Sequence, residues 1–188
     1  MCIRDSSSAI VTRANDPRDL RDLQGARFAA NGPDSLSGWA ALAAVFGAEG
    51  IGEILWTGAH RTSIIEVANG GAEAAAKDAV VWDMARRFEP AAADLRVVAW
   101  SDPAPAPPFV TSALRESGDR ARIRAALVDT LVDPATAAIR AELRLSRIVA
   151  FADPDYDPAR RLAQLARRAE RRVAVVSRSE TIHSLSDR

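Results

Sequence analysis

Cysteine occurs once in the 188 residues, at Cys2, which excludes an internal disulfide framework and a metal site built from thiolates but does not fix the compartment. Lysine is as scarce: of the 25 Lys and Arg residues only Lys77 is a lysine. With the abundant alanine this reads as a bias of the coding genome. Net charge is missing too, since Asp and Glu also number 25. That balance removes the electrostatic case for nucleic acid or an anionic membrane surface as partner. No apolar run approaches the roughly 20 residues of a membrane span, so no direct membrane insertion is expected. There is no internal repeat, no G-x-S-x-G elbow, no metal cluster and no glycine-rich phosphate loop. No cofactor and no metal are therefore expected. What is present is a 48% hydrophobic content, sufficient for a packed core.

The two ends read as foreign to the rest. "MCIRDS" is what a common sequencing-transposon end encodes in frame, so residues 1–7 are expected to be an artefact of library preparation, with Met1 not the true start and Cys2 not native. The tail 173–188 has lost the regular pattern that precedes it and is left unassigned. His183 lies there without evident partners.

Between the ends, short apolar runs alternate with helical patterns. Strands are expected at Ala26–Asn31, Glu53–Gly58, Glu73–Lys77 and Leu95–Trp100, and helices at Gly38–Ala48 (ended by Gly50), His60–Ala68 and Val80–Phe88. This alternation is that of a parallel, doubly wound α/β sheet with helices on both faces. Prolines at 103, 105, 107 and 108 then impose an extended connector leading into a short strand, "PFVTS". Helices follow at Arg120–Leu131, Pro134–Leu143 and Pro158–Arg172, with Asp157 placed to cap the last.

In a doubly wound sheet, ligands sit beyond the carboxyl ends of the strands. That rule brings Asp34–Gly38, Thr57–His60 and Asp78 to one rim. Each has a structural alternative: Asp34, Ser35, Ser37 and Asp78 as helix caps, Thr57 as a cap, His60 as an exposed first-turn residue. Together, serine donors, a histidine and a single carboxylate suit an oxyanion that still carries a proton. An ionised Asp only accepts, so its ligand must donate, as hydrogen phosphate, phosphite or a phosphonate monoanion can and sulfate cannot.

"DLQGARFAANGPDSLSGW", "WTGAHRTSIIEVANGGAEAAAKDAVVWD", "LRVVAWSDPAPAPPFV" and "DPDYDPARRL" resemble the second half of the periplasmic phosphate, phosphite and phosphonate binding proteins of ABC importers. The resemblance spans about Ser8–Glu170 and is most specific in the serine-rich loop before Gly38, in "TGAH", in "VANG" and at Asp78. It implies a type II periplasmic-binding-protein-like fold, a doubly wound lobe with a helical return into a second, incomplete lobe. It also implies oxyanion contacts from Ser35, Ser37, His60 and Asp78, helped by the amides around Leu36 and Gly38. The implied partners are the small oxyanion and an ABC membrane permease; the implied location is periplasmic or lipid-anchored outside the cell. Leu36 stands where threonine is frequent. Lys77 stands where the strand is usually apolar, and alternation turns it away from Asp78. Ala106, Pro107 and Pro108 occupy the region where aminophosphonate binders carry an acid, although Asp102 is close.

Relatives of this kind begin with roughly another hundred residues, the size of one half-domain. The chain is accordingly read as truncated: 8–22 as a segment arriving from the missing lobe, 23–103 as the central lobe and 104–172 as connector and return to the other lobe. Exposed apolar surface is expected on that return. The competing readings are a hydrolase using Ser37, His60 and Asp78, the ligand-sensing domain of a regulator, and an importer component for another anion such as a sulfonate.

Overall fold

The computed structural model describes residues 5–176. Cys2 and His183 lie outside these residues. A six-stranded sheet has the order β6-β2-β5-β3-β4-β8, with β2 at Ser8–Arg13, β3 at Ala26–Ala30, β4 at Ile51–Trp56, β5 at Ala74–Asp78, β6 at Leu95–Trp100 and β8 at Ala174–Val176. A two-residue strand β1, Asp5–Ser6, pairs with β7, Ala104–Pro105. The helices are α1 (Ala41–Phe46), α2 (His60–Ala68), α3 (Ala79–Phe88), α4 (Ser117–Val132), α5 (Ala137–Glu142) and α6 (Asp157–Glu170).

Strand alternation divides the core into two layers. Phe28, Ala30, Ala74 and Ala76 face α1 and α6, packing with Trp39, Leu42, Phe46 and Ala166. Ala9, Val11, Ala29 and Ala75 face the other way, against Ile64 and Val67 of α2 and Trp82 of α3. The small alanines of β5 let both helical layers approach the sheet centre. Helices on both faces of an α/β sheet are the expected architecture. The sheet is mixed, however: β3 runs parallel to β4 and β5, whereas β2 runs antiparallel to β5 and β6.

Several segments sit elsewhere than the sequence suggests. The stretch 8–22, read as arriving from another lobe, supplies β2 between β5 and β6. Helix α6, read as belonging to the other lobe, lies against this one: Trp39 Nε1 donates to Ala166 O at 3.1 Å. Three residues of the tail form β8 beside β4. Gly47, at φ 69°, ends α1 in place of Gly50, because the left-handed turn needs a residue without Cβ. "PFVTS" is not a strand; Pro108 and the Pro107 before it offer no ladder donor and the segment is exposed. Tyr156 occupies the N-cap of α6, and Asp157 instead accepts from Arg160 Nη1 at 2.8 Å. Helices α4 and α5 bury no residue, leaving Val132, Ile139 and Leu143 exposed.

Candidate functional site

The loop after β3 enters its helix through a single π-turn, Leu36–Ala40, with Ala40 N–H donating to Ser35 O at 2.9 Å. Wide turns of this kind are frequent at functional sites. Ser35 is the N-cap: its Oγ accepts from Gly38 N–H at 3.0 Å. The Gly38 amide is used within the loop, and of the four loop residues expected to contact the anion it is Leu36 and Ser37, not Ser35 or Gly38, that line the cleft. Gly38 is required for a different reason, since a Cβ there would collide with Asn31 Oδ1.

Ser37 turns outward from the same turn and its Oγ lies 3.2 Å from His60 Nε2. His60 opens α2, whose N-cap, Ala59, supplies no side-chain cap, so the positive end of that helix is left for another acceptor. Burial, and after it the nearby Lys77 charge, push the His60 imidazole down to about 4, with Asp78 opposing. At neutral pH the ring is uncharged and one of its nitrogens is a donor. Thr57 takes neither of its expected parts. Its hydroxyl lies 3.1 Å from both Ala30 O and Ala59 O and 2.7 Å from Ser63 Oγ, tying β4 to α2.

Asp78 does two things at once. Oδ1 caps α3, accepting from Val80 and Val81 N–H at 2.9 and 3.2 Å, and Oδ2 accepts from Ser6 Oγ at 2.6 Å. A carboxylate offers about four lone-pair positions, so one remains for a ligand. Ser6 belongs to the end that reads as foreign; the antiparallel pairing of β2 with β5, which sets Ser8 opposite Asp78, and the bond from Ala79 N–H to Ser7 O bring it here, and no local pattern announces it.

Leu36, Ser37, His60 and Asp78 share the wall of one cleft of about 870 Å³. The remaining wall is largely apolar, from Ala41, Ala44 and Val45 of the α1 layer, Leu162 and Leu165 of α6, and Trp100 with the proline-rich connector. Arg161, Asp34 and Asp102 add charge to it. Among the described residues no group of three or more His, Cys, Asp or Glu could hold a metal ion, and no helix is long and apolar enough to cross a membrane.

A family profile described as "ABC transporter, phosphonate, periplasmic substrate-binding protein" matches residues 4–156. The chain belongs to this family. It is thus a substrate-binding component of an ABC phosphonate importer, and the family is one of solute-binding proteins. No curated protein matches it by sequence. Among solved structures it is similar to a binding protein component of an ABC phosphonate transporter, PA3383, from Pseudomonas aeruginosa (TM-score 0.74, 18% identity, 97% of this chain and 65% of that one). It is also similar to PhnD1 from Prochlorococcus marinus in complex with methylphosphonate (TM-score 0.75, 15% identity, 86% of this chain and 67% of that one). A third is XAC2383 from Xanthomonas citri, bound to chloride ion (TM-score 0.67, 20% identity, 90% of this chain and 68% of that one). At these identities the likeness is one of fold, and the importer component spans about two thirds of the length of these neighbours.

Proposed function

We propose that the cleft captures the head group of a monoprotonated phosphorus oxyanion, with a phosphonate as the ligand class. Ser37 Oγ and the neutral His60 ring donate to its charged oxygens, and the uncapped start of α2 adds its dipole. The free lone-pair position of Asp78 accepts the ligand's P–OH. The observation that supports this most is the meeting of Ser37, His60 and Asp78 on one wall although they come from three separate elements. Asp78 sets selectivity: a fully ionised sulfate would present a lone pair to a lone pair and be repelled. Ser35 and Gly38 contribute by fixing the turn that aims Ser37.

The apolar wall gives an organic substituent a place that inorganic phosphate would leave unfilled. On this reading the chain acts in the periplasm, or tethered by lipid on the outer face of the membrane, and hands its ligand to an ABC permease. Isothermal calorimetry with methylphosphonate, phosphite, phosphate and sulfate tests it. Binding of the phosphorus oxyanions with sulfate silent is expected; equal binding of sulfate would overturn the role given to Asp78.

A further inference from the structure

The lone lysine of the chain is buried in the middle of the sheet. Lys77 is 0% exposed, and its Nζ has no hydrogen-bond partner among the described residues. A buried amine without a partner is costly unless it serves something. Among the described residues two more buried polar atoms lack partners, Asn31 Oδ1 and His60 Nδ1.

The three belong to one neighbourhood. In the parallel pairing of β3 with β5, Ala29 lies opposite Ala75. Continuing that register by one pleat sets Asn31 beside Lys77, on the face that carries α2. His60 begins α2 and is close enough to Lys77 to feel its charge. The layer therefore runs from the cleft wall at His60 inward to Nζ, while Asn31 also meets the Gly38 turn that carries Ser37.

The other charged groups on this face lie toward its opposite end and have partners: Arg13 donates to Val67 O and Ala72 O, Arg27 pairs with Glu53 and Glu73 with Arg18. On β2, Lys77 faces Ala9 across the ladder. On α2, Arg61 is paired with Glu89 and Glu66 lies at the far end beside Gly71. On α3, Asp83 is paired with Arg144, and Asp78 projects to the cleft, with Val80, Val81 and Ser6 as partners. His60, whose ring feels the Lys77 charge, is itself neutral at neutral pH.

We propose that Lys77 is a specificity-determining residue whose buried amine takes up one proton from solvent as the oxyanion seats at Ser37 and His60, so that anion and proton bind together. This deepens the importer reading and rests on it. The reaction balances simply: a neutral amine plus a solvent proton gives an ammonium, and no bond in the ligand changes. Burial holds the amine down to about 7 in the free protein, poised where a new negative charge shifts it most. An anion arriving in a site of low dielectric favours the charged amine. By reciprocity, the protonated amine favours the anion. A site with one Asp and a neutral His thereby gains a positive charge only when a ligand is there to match it.

Because Lys77 is the sole lysine, the chain grown with 13C-labelled lysine gives one Cε resonance that reports this amine alone. Its midpoint in the free 188-residue chain is expected near 7, moving up by about one pH unit or more with saturating methylphosphonate. In the Lys77→Met chain, calorimetry in buffers of different ionisation enthalpy is expected to lose one class of proton uptake, and affinity below neutral pH to fall about tenfold. A midpoint that stays put when methylphosphonate binds, or equal proton uptake by wild type and Lys77→Met, would overturn the proposal. Failure of wild type to bind any phosphorus oxyanion would instead overturn the importer reading, and this inference with it.

Discussion

Ser37 Oγ and His60 Nε2 stand 3.2 Å apart, joining the start of the π-turn after β3 to the start of α2. The two side chains share one cleft wall, so an oxygen seated there meets both. Ser37 is not the cap of its helix, and Ser37→Ala is expected to leave the fold intact while weakening methylphosphonate binding by about ten- to a hundred-fold, the worth of a hydrogen bond to a charged group. Calorimetry on the variant, with circular dichroism as the folding control, checks this.

Ser35 has the opposite profile. Its hydroxyl caps the turn through Gly38 N–H, so Ser35→Ala is expected to cost about 1 kcal/mol of stability. Any effect on affinity comes through Ser37. Gly38→Ala is expected to cost more, about 1–3 kcal/mol, because the new methyl collides with Asn31 Oδ1 and crowds Ser35 Oγ at 2.9 Å. Urea denaturation of both variants distinguishes the two magnitudes.

Stability responds to two depressed groups with the same sign. His60 sits at about 4 in the folded chain against 6.5 in a model peptide. Between those values the unfolded chain binds more protons, so stability rises with pH across that window and is lost as pH falls through it. Lys77, at about 7 against 10.5, makes stability rise again above neutrality. Lys77→Met removes that second rise and is expected to stabilise the protein at neutral pH by about 2–4 kcal/mol. Thermal melts across pH, wild type against variant, measure it.

Most of the central α/β order was legible because short apolar runs and helical patterns are punctuated by glycine, as where "EILWTG" ends a strand and "VANGG" ends a helix. The alanine-rich β5 also reads correctly, although its composition favours helix, because the flanking glycines and the following helix leave it no other place. The position of β2 was hidden. "SAIVTR" is too short to disclose that it runs antiparallel between β5 and β6. Likewise α6 has an evident amphipathic pattern, but nothing local states that Trp39 is what it covers.

The site divides the same way. Ser37, His60 and Asp78 were reachable from the rule that ligands gather beyond strand ends. Ser6 was not, because its partner Asp78 is 72 residues away. Lys77 was set aside by alternation, which places it off the cleft wall; its effect on His60 passes through the buried layer, and sequence spacing does not register that route.

The selectivity of Asp78 is the centre of the account. Asn keeps an oxygen to accept from Val80 and Val81, so Asp78→Asn should preserve the α3 cap while replacing the acceptor that faces the ligand with a donor. The most direct measurement is the ratio of methylphosphonate to sulfate affinity, by calorimetry, in wild type and in Asp78→Asn. The account predicts a ratio that collapses by about tenfold or more, mostly through a gain in sulfate binding. A ratio unchanged by the substitution, in a variant that still binds, would contradict it.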